Sequence, residues 1–312
     1  MKKIQLGATG LEVSALCLGT MMYGTAVKKE DAFSVLDYFT EAGGNFIDTS
    51  NNYAHWMGTG DESETLLGEW LEKSGKRDSL VIATKVGYDR HGKDMGLHAS
   101  NIEYWIDESL RKLKTDYIDL YYAHVDDFST PLEETVDAFN RLIKKGKVRA
   151  IGNSNYYTWR MEKANNYAKV SGQTPFMVHQ AKYTYLFSEN GCEKELPLNE
   201  SAAPEKLYYL SEEKIPLVAY SCLAGGGYEN NDRLPDWYVK KGRLAALNEV
   251  AGEMGVTPSA LALSYMMNAD RMPHMPKIVP LFSTGSVSHI KNNLKCLDID
   301  LDDETLKKLH NA

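Results

Sequence analysis

Eight times along this chain a short apolar run rich in β-branched residues gives way to a polar turn and then to an amphipathic stretch with apolar spacing of three and four. The runs lie at 15–20, 45–50, 80–86, 117–124, 148–155, 176–183, 216–222 and 277–283, each the length of one strand. Between them Ala32, Val35, Leu36 and Phe39 fall on one helical face, as do Ile102, Trp105, Ile106, Leu110 and Leu113, so a helix is available to cover each strand. Thr130, Pro131 and Glu133 read as a capping box opening a helix through Ile143. Strands joined by helical crossovers run parallel. Eight such units without a Pro/Gly/Ser-rich linker predict an α/β fold, a single (β/α)8 TIM barrel over 1–312 with its active site at the carboxyl ends of the strands. Two segments break the rhythm, 188–203 and 224–241, and both fall on that side of the barrel.

Composition narrows the function. With 43% hydrophobic and 25% charged residues, the 312-residue chain can bury a sizeable core. A net charge of -8 argues against a broad phosphate-neutralising face, so nucleic acid is not an expected partner. No apolar run reaches membrane-spanning or signal-peptide length, which predicts a cytoplasmic protein without membrane contact. Cys17, Cys192, Cys222 and Cys296 have no CxxC spacing and read as buried thiols.

Four chemically capable side chains cluster at adjacent strand ends. Asp48 ends the second run, Tyr53 lies five residues on, Lys85 ends the third and His124 ends the fourth. A tyrosine with an ordinary pKa of about 10 exchanges protons poorly near neutrality unless a cation stabilises its phenolate, and Lys85 can supply that cation. Asp48 is the partner that would keep a buried Lys85 charged, and His124 could orient a substrate carbonyl oxygen. Taken singly, each residue has an ordinary alternative as a helix cap, a structural ion pair or a histidine satisfied by backbone.

Taken together, and with the segments LGATGLEVSALCLGTMMYG, FIDTSNNY, DESETLLGEWL, VIATKVG, TDYIDLYYAH, LIKKGKVRAIGNSN and GVTPSALALSYMM in order, the chain resembles the aldo-keto reductases almost from end to end. The resemblance implies that Asp48, Tyr53, Lys85 and His124 are the catalytic four, and that a nicotinamide cofactor, NAD or NADP, carries hydride between itself and a carbonyl or alcohol substrate. It further implies that Ser154, Asn155 and Gln180 hold the nicotinamide carboxamide, that Tyr220 stacks beneath the ring, and that Ser221, Leu223 and Gly225 approach the pyrophosphate. Serine, asparagine and glutamine do offer the donors and acceptors that a primary amide needs, and an aromatic face covers a flat ring.

Around the eighth run the sequence departs from that family. Many members carry basic residues where Gly285 and Ser286 stand, and some have arginine at the place of His289. A 2′-phosphate is normally held by Arg or Lys, whereas Ser283, Thr284, Ser286 and Asn293 suit an unphosphorylated ribose, so NAD(H) should be accepted at least comparably to NADP(H). Met22, Tyr23, Trp56 and Phe128 lie in loops beyond strand ends as candidate substrate walls. His179 tempts as a metal ligand, but strand alternation turns it toward the helices if Gln180 faces the mouth, so no metal site is expected. The competing functions are a nicotinamide-binding regulatory subunit of a membrane channel, which the same resemblance includes, and a metal-dependent hydrolase, which the absence of an HxH pair disfavours. Family resemblance favours a monomer.

Overall fold

Side-chain alternation along short strands builds the barrel. The computed structural model of the chain describes residues 1–88, 96–187, 199–234 and 242–312. Strands β3 (Cys17–Gly19), β4 (Phe46–Asp48), β5 (Val81–Val86), β6 (Ile118–Ala123), β7 (Val148–Ser154), β8 (Val178–Lys182), β9 (Leu217–Tyr220) and β10 (Ile278–Phe282) pair in parallel, in chain order, and β10 closes on β3. Every second residue points inward. Cys17, Phe46, Val81, Ala83, Leu120, Tyr122, Ala150, Val178, Val218, Val279 and Leu281 fill the barrel as one buried cluster. One pleat step further toward the carboxyl ends, the same inward rows reach Asp48, Lys85, Ser154 and Gln180.

The outward rows meet helices. α1 (Lys29–Glu41), α2 (Glu62–Ser74), α3 (Ala99–Leu113), α4 (Leu132–Lys144), α5 (Thr158–Val170) and α6 (Pro204–Glu212) follow β3 to β8 in turn. α7 (Gly242–Met254) and α8 (Pro258–Asn268) come after β9, and α9 (Val287–Leu294) and α10 (Asp303–His310) after β10. The predicted apolar stripe of α1, Ala32, Val35, Leu36 and Phe39, is wholly buried, each large side chain contributing about 1.5–3 kcal/mol of transfer free energy. Gly152 on β7 has a packing reason: a Cβ there would sit 2.6 Å from the Tyr122 ring, which fills the barrel one layer below the site.

At the amino end, β1 (Lys3–Gln5) and β2 (Glu12–Ser14) form an antiparallel hairpin that sequence periodicity did not reveal. Its Leu6, Leu11 and Val13 pack onto the interior cluster and cork the barrel at the end remote from the site. The expected capping box is absent. α4 starts after Pro131 with no side-chain cap, because Thr130 Oγ1 donates to Asp127 Oδ2 (2.6 Å) instead. That carboxylate also accepts from Leu97 N and Ser129 N, and these bonds hold its pKa down to about 2 against the opposing effect of partial burial. Cys17, Cys222 and Cys296 are buried free thiols, while Cys192 lies outside the described residues. Among the described residues no helix is long and apolar enough to cross a membrane.

Candidate active site

Four strand ends bring the reactive groups to one point. Lys85 Nζ lies 2.5 Å from both Asp48 Oδ1 and the Tyr53 hydroxyl, and it also donates to Thr49 O at 2.7 Å. Tyr53 donates to Asp48 Oδ1 (2.9 Å), and Gln180 Nε2 donates to Asp48 Oδ2 (2.9 Å). Asp48 and Lys85 are completely buried. Such a pair is tolerable only with its hydrogen bonds filled, and here both carboxylate oxygens and the ammonium are engaged. Behind it, Glu64 on α2 accepts from Thr84 Oγ1 (2.6 Å) and pairs with Lys112 (2.6 Å), which places a second buried carboxylate on the far side of β5.

Burial is the largest influence on Lys85, Tyr53 and His124. It lowers the Lys85 pKa, which the charges of Asp48 and Glu64 partly restore. It raises Tyr53 well above 10, and the Asp48 charge pushes the same way. The expected pull of Lys85 on the phenol is opposed here by burial and by the Asp48 charge. Asp48 shares the ammonium and offsets its field, so Tyr53 holds its proton and is a donor. His124 is held well below 6.5 by burial and then by Lys85. Its Nδ1 side meets Ser50 Oγ at 3.2 Å, which leaves Nε2 for a ligand. Its ring contacts Tyr53 (centroids 6.0 Å) and Tyr88 (5.1 Å).

A cavity of about 1160 Å³ opens over this cluster and extends along the ends of β7 to β10. Tyr53 and His124 line it, as do Ser154, Asn155, Gln180, Tyr220, Ser221, Leu223, Gly225, Ser283, Thr284, His289 and Asn293. Ser154 Oγ is buried there with no hydrogen-bond partner among the described residues, a polar atom for a ligand to satisfy. Asn155 sits at φ 55°, its amide nitrogen on His124 O (2.9 Å) and its amide oxygen accepting from the Tyr220 hydroxyl (3.0 Å). Ser221 (φ 56°), Ala224 (φ 48°), Gly225 and Gly226 all adopt left-handed backbone, a run of strain of the kind that collects at binding sites. This donor and acceptor set fits a nicotinamide amide, and the curled backbone beyond it fits the rest of a dinucleotide.

Some expected residues lie elsewhere. Tyr23 is fully buried, its hydroxyl donating to Thr284 O (3.0 Å), because the turn after β3 folds it inward and leaves Met21, not Met22, on the cavity wall. Phe128 is 62% exposed and packs on Tyr157, Trp159 and the guanidinium of Arg160, away from the cavity lining. Ser286 also lies outside the lining, its hydroxyl paired with Ser288. Trp56 does line the cavity. His179 is turned from the mouth, with Nδ1 2.6 Å from Asn153 Oδ1, and feels the charge of Lys206 on α6. Among the described residues no group of three His, Cys, Asp or Glu side chains could hold a metal ion. Sequence reasoning missed His55, Tyr88, Glu200, Glu229 and Arg233, all on the wall. Tyr88 lies three residues beyond Lys85, and Glu200, Glu229 and Arg233 fall in the two segments expected at the mouth, but no motif singled them out there.

The model of the Aldo/keto reductase family matches residues 15–312. A norsolorinic acid reductase of Emericella nidulans is 35% identical over 97% of this chain and 79% of its own length. The norsolorinic acid reductase A of Aspergillus parasiticus is 31% identical over 98% and 79%. An aryl-alcohol dehydrogenase [NADP(+)] of Phanerodontia chrysosporium is 31% identical over 97% and 83%. With the closed barrel and the strand-end cluster already in place, these matches establish that the chain belongs to the aldo/keto reductase family of NAD(P)-dependent oxidoreductases.

Proposed function

We propose that the protein interconverts an aryl aldehyde or ketone and its alcohol, with Tyr53 as the acid-base group. The observation that carries this reading is Lys85 Nζ at 2.5 Å from both the Tyr53 hydroxyl and Asp48 Oδ1. A nicotinamide held by Ser154, Asn155, Gln180 and Tyr220 would supply or accept the hydride. His124 Nε2 orients the substrate oxygen, and the Tyr53 hydroxyl gives its proton to that oxygen as negative charge develops. Lys85 then faces a phenolate in place of a phenol and stabilises it until a proton returns. In oxidation the same phenolate removes the alcohol proton.

The aryl preference is supported by Trp56, Tyr88, His55 and Met21 on the cavity wall, and by the norsolorinic acid reductases and aryl-alcohol dehydrogenase among the relatives. We take the chain to act as one barrel domain, as a monomer and in the cytoplasm. The intact Asp48, Tyr53, Lys85 and His124 set favours turnover over service as a channel's binding subunit.

Tyr53→Phe keeps the ring and removes the proton. It is expected to lower turnover of an aryl aldehyde by roughly 10²–10⁴-fold while cofactor affinity stays within about threefold. Turnover within about tenfold of the unaltered protein would remove Tyr53 from the acid-base role.

A further inference from the structure

The wall of the cavity carries a carboxylate close to Tyr220. Glu200 lines the wall with Trp56, Tyr88 and Tyr220 and is partly buried. Among the described residues its side chain has no hydrogen bond or ion pair. Its charge is felt at the Tyr220 hydroxyl, whose pKa burial raises first and Glu200 raises further.

The backbone presents this carboxylate from a fixed place. Lys182 N donates to Glu200 O (2.8 Å) and Ala202 N to Lys182 O (3.0 Å), so residues 200–202 continue the barrel ladder beside β8 at the level where β7 has ended. Next to it, Asn199 Nδ2 donates to Asn155 O (3.2 Å), and Lys206 Nζ anchors Asn199 O (2.8 Å). The strap is thus tied to the rim from both sides and to the asparagine of the amide-binding set.

We infer that Glu200 is a specificity-determining residue: it admits neutral and cationic carbonyl substrates and rejects those that bear a carboxylate. The inference rests on the carbonyl-reducing reading of the same cavity. An uncompensated charge among aromatic walls acts through a lower dielectric than water, and a substrate carboxylate about 7 Å away at an effective dielectric near 20 is disfavoured by at least about tenfold. Rejection by an unpaired like charge selects without requiring any new attractive contact. A trimethylammonium group, by contrast, gains both from the carboxylate and from the rings of Trp56 and Tyr88.

Three aldehydes of one shape test this: 4-formylbenzoate, its methyl ester and 4-formyl-N,N,N-trimethylanilinium. The quantity read is the ratio of kcat/KM for acid over ester, which cancels any general change in rate. In the unaltered protein the acid is expected to be used at least about tenfold less efficiently than the ester, and the cation at least as well as the ester. Glu200→Gln should bring acid and ester to within about threefold, and Glu200→Ala should do the same if the glutamine variant folds poorly. An acid-to-ester ratio unchanged in both variants overturns the assignment. The same ratio, read as dissociation constants from tryptophan quenching in cofactor-saturated protein, needs no turnover. A Glu200-dependent ratio there, with none of the three aldehydes reduced, would keep the assignment and remove the reductase reading.

Discussion

The proposed catalytic cluster and the proposed dinucleotide groove share one cavity but are built on opposite terms. In the cluster, Asp48, Lys85, Tyr53 and Gln180 already satisfy one another within 2.5–2.9 Å. In the groove, Ser154 Oγ waits without a partner, and Ser221 and Ala224 hold left-handed backbone that only surrounding contacts can sustain. The cluster stands on strand ends and is preorganised, so its geometry costs little at the moment of reaction. The groove is made of loops and keeps unmet hydrogen bonds that a ligand must complete. Damage to the first should fall on rate and folding together. Damage to the second should fall on affinity alone.

The largest expected effect comes from breaking the cluster. Lys85→Met leaves Asp48 buried without its cation, so turnover should drop at least about a hundredfold, and stability should fall by roughly 3–5 kcal/mol. The pH profile of alcohol oxidation should also move upward, since the phenolate form of Tyr53 loses its stabilising charge. Unchanged rates with an unchanged profile would reduce Lys85 to a structural ion pair. Ser154→Ala makes the opposite cut. Removing an unpartnered hydroxyl should leave the melting temperature within a degree or two, yet weaken nicotinamide binding by about 5–10-fold, the worth of one hydrogen bond. A matching loss of stability would mean that the hydroxyl has a structural partner and the two regions are not so different.

Within the groove, the adenosine end sharpens the contrast. His289, Asn292 and Asn293 line it, whereas Lys291 turns away to sit 5.2 Å over the Tyr38 ring. Arg233 is the lysine or arginine that the described lining does contain. NADH and NADPH are expected to bind within about tenfold of each other by fluorescence titration, and a preference for NADPH beyond about a hundredfold, roughly 2.7 kcal/mol, would reveal a phosphate clamp. Loss of that preference in Arg233→Ala would name its residue. The smallest effect is expected outside both regions. Burial holds His179 well below 6.5, so the unfolded chain binds the extra proton and stability declines as pH falls through 6.5. Thermal melts between about pH 7 and 5 should show a shallower decline for His179→Asn, and an identical slope would mean that other groups carry the acid sensitivity.

This division also explains what could be read from sequence. All eight barrel strands fall within two residues of their apolar runs, because a strand buried on both faces needs uninterrupted apolar residues and its ends are set by the turns. Asp48, Lys85 and His124 followed from those ends, since a two-residue period fixes which side chains face the mouth, whereas Ser154 and Gln180 came from the family resemblance. Tyr23 and Phe128 did not follow. Each sits in a loop whose direction depends on distant partners, Thr284 for one and Arg160 with Trp159 for the other. Glu200 lay in a segment expected at the mouth, but its exact place there did not follow, for the same reason. It reaches the rim through backbone bonds to Lys182, eighteen positions earlier in the chain, and no local pattern announces such a bond. The amino-terminal hairpin escaped because Lys3–Gln5 and Glu12–Ser14 each set one apolar residue among polar ones, unlike the apolar runs of the barrel strands.

That hairpin decides the traffic of the molecule. With Leu6, Leu11 and Val13 seated against the filled barrel interior, nothing can pass through the axis. The cavity above Tyr53 is then approached from the carboxyl ends of the strands, by cofactor and substrate alike. Whichever is seated deeper must arrive first and depart last, and the shallower one acts as its door.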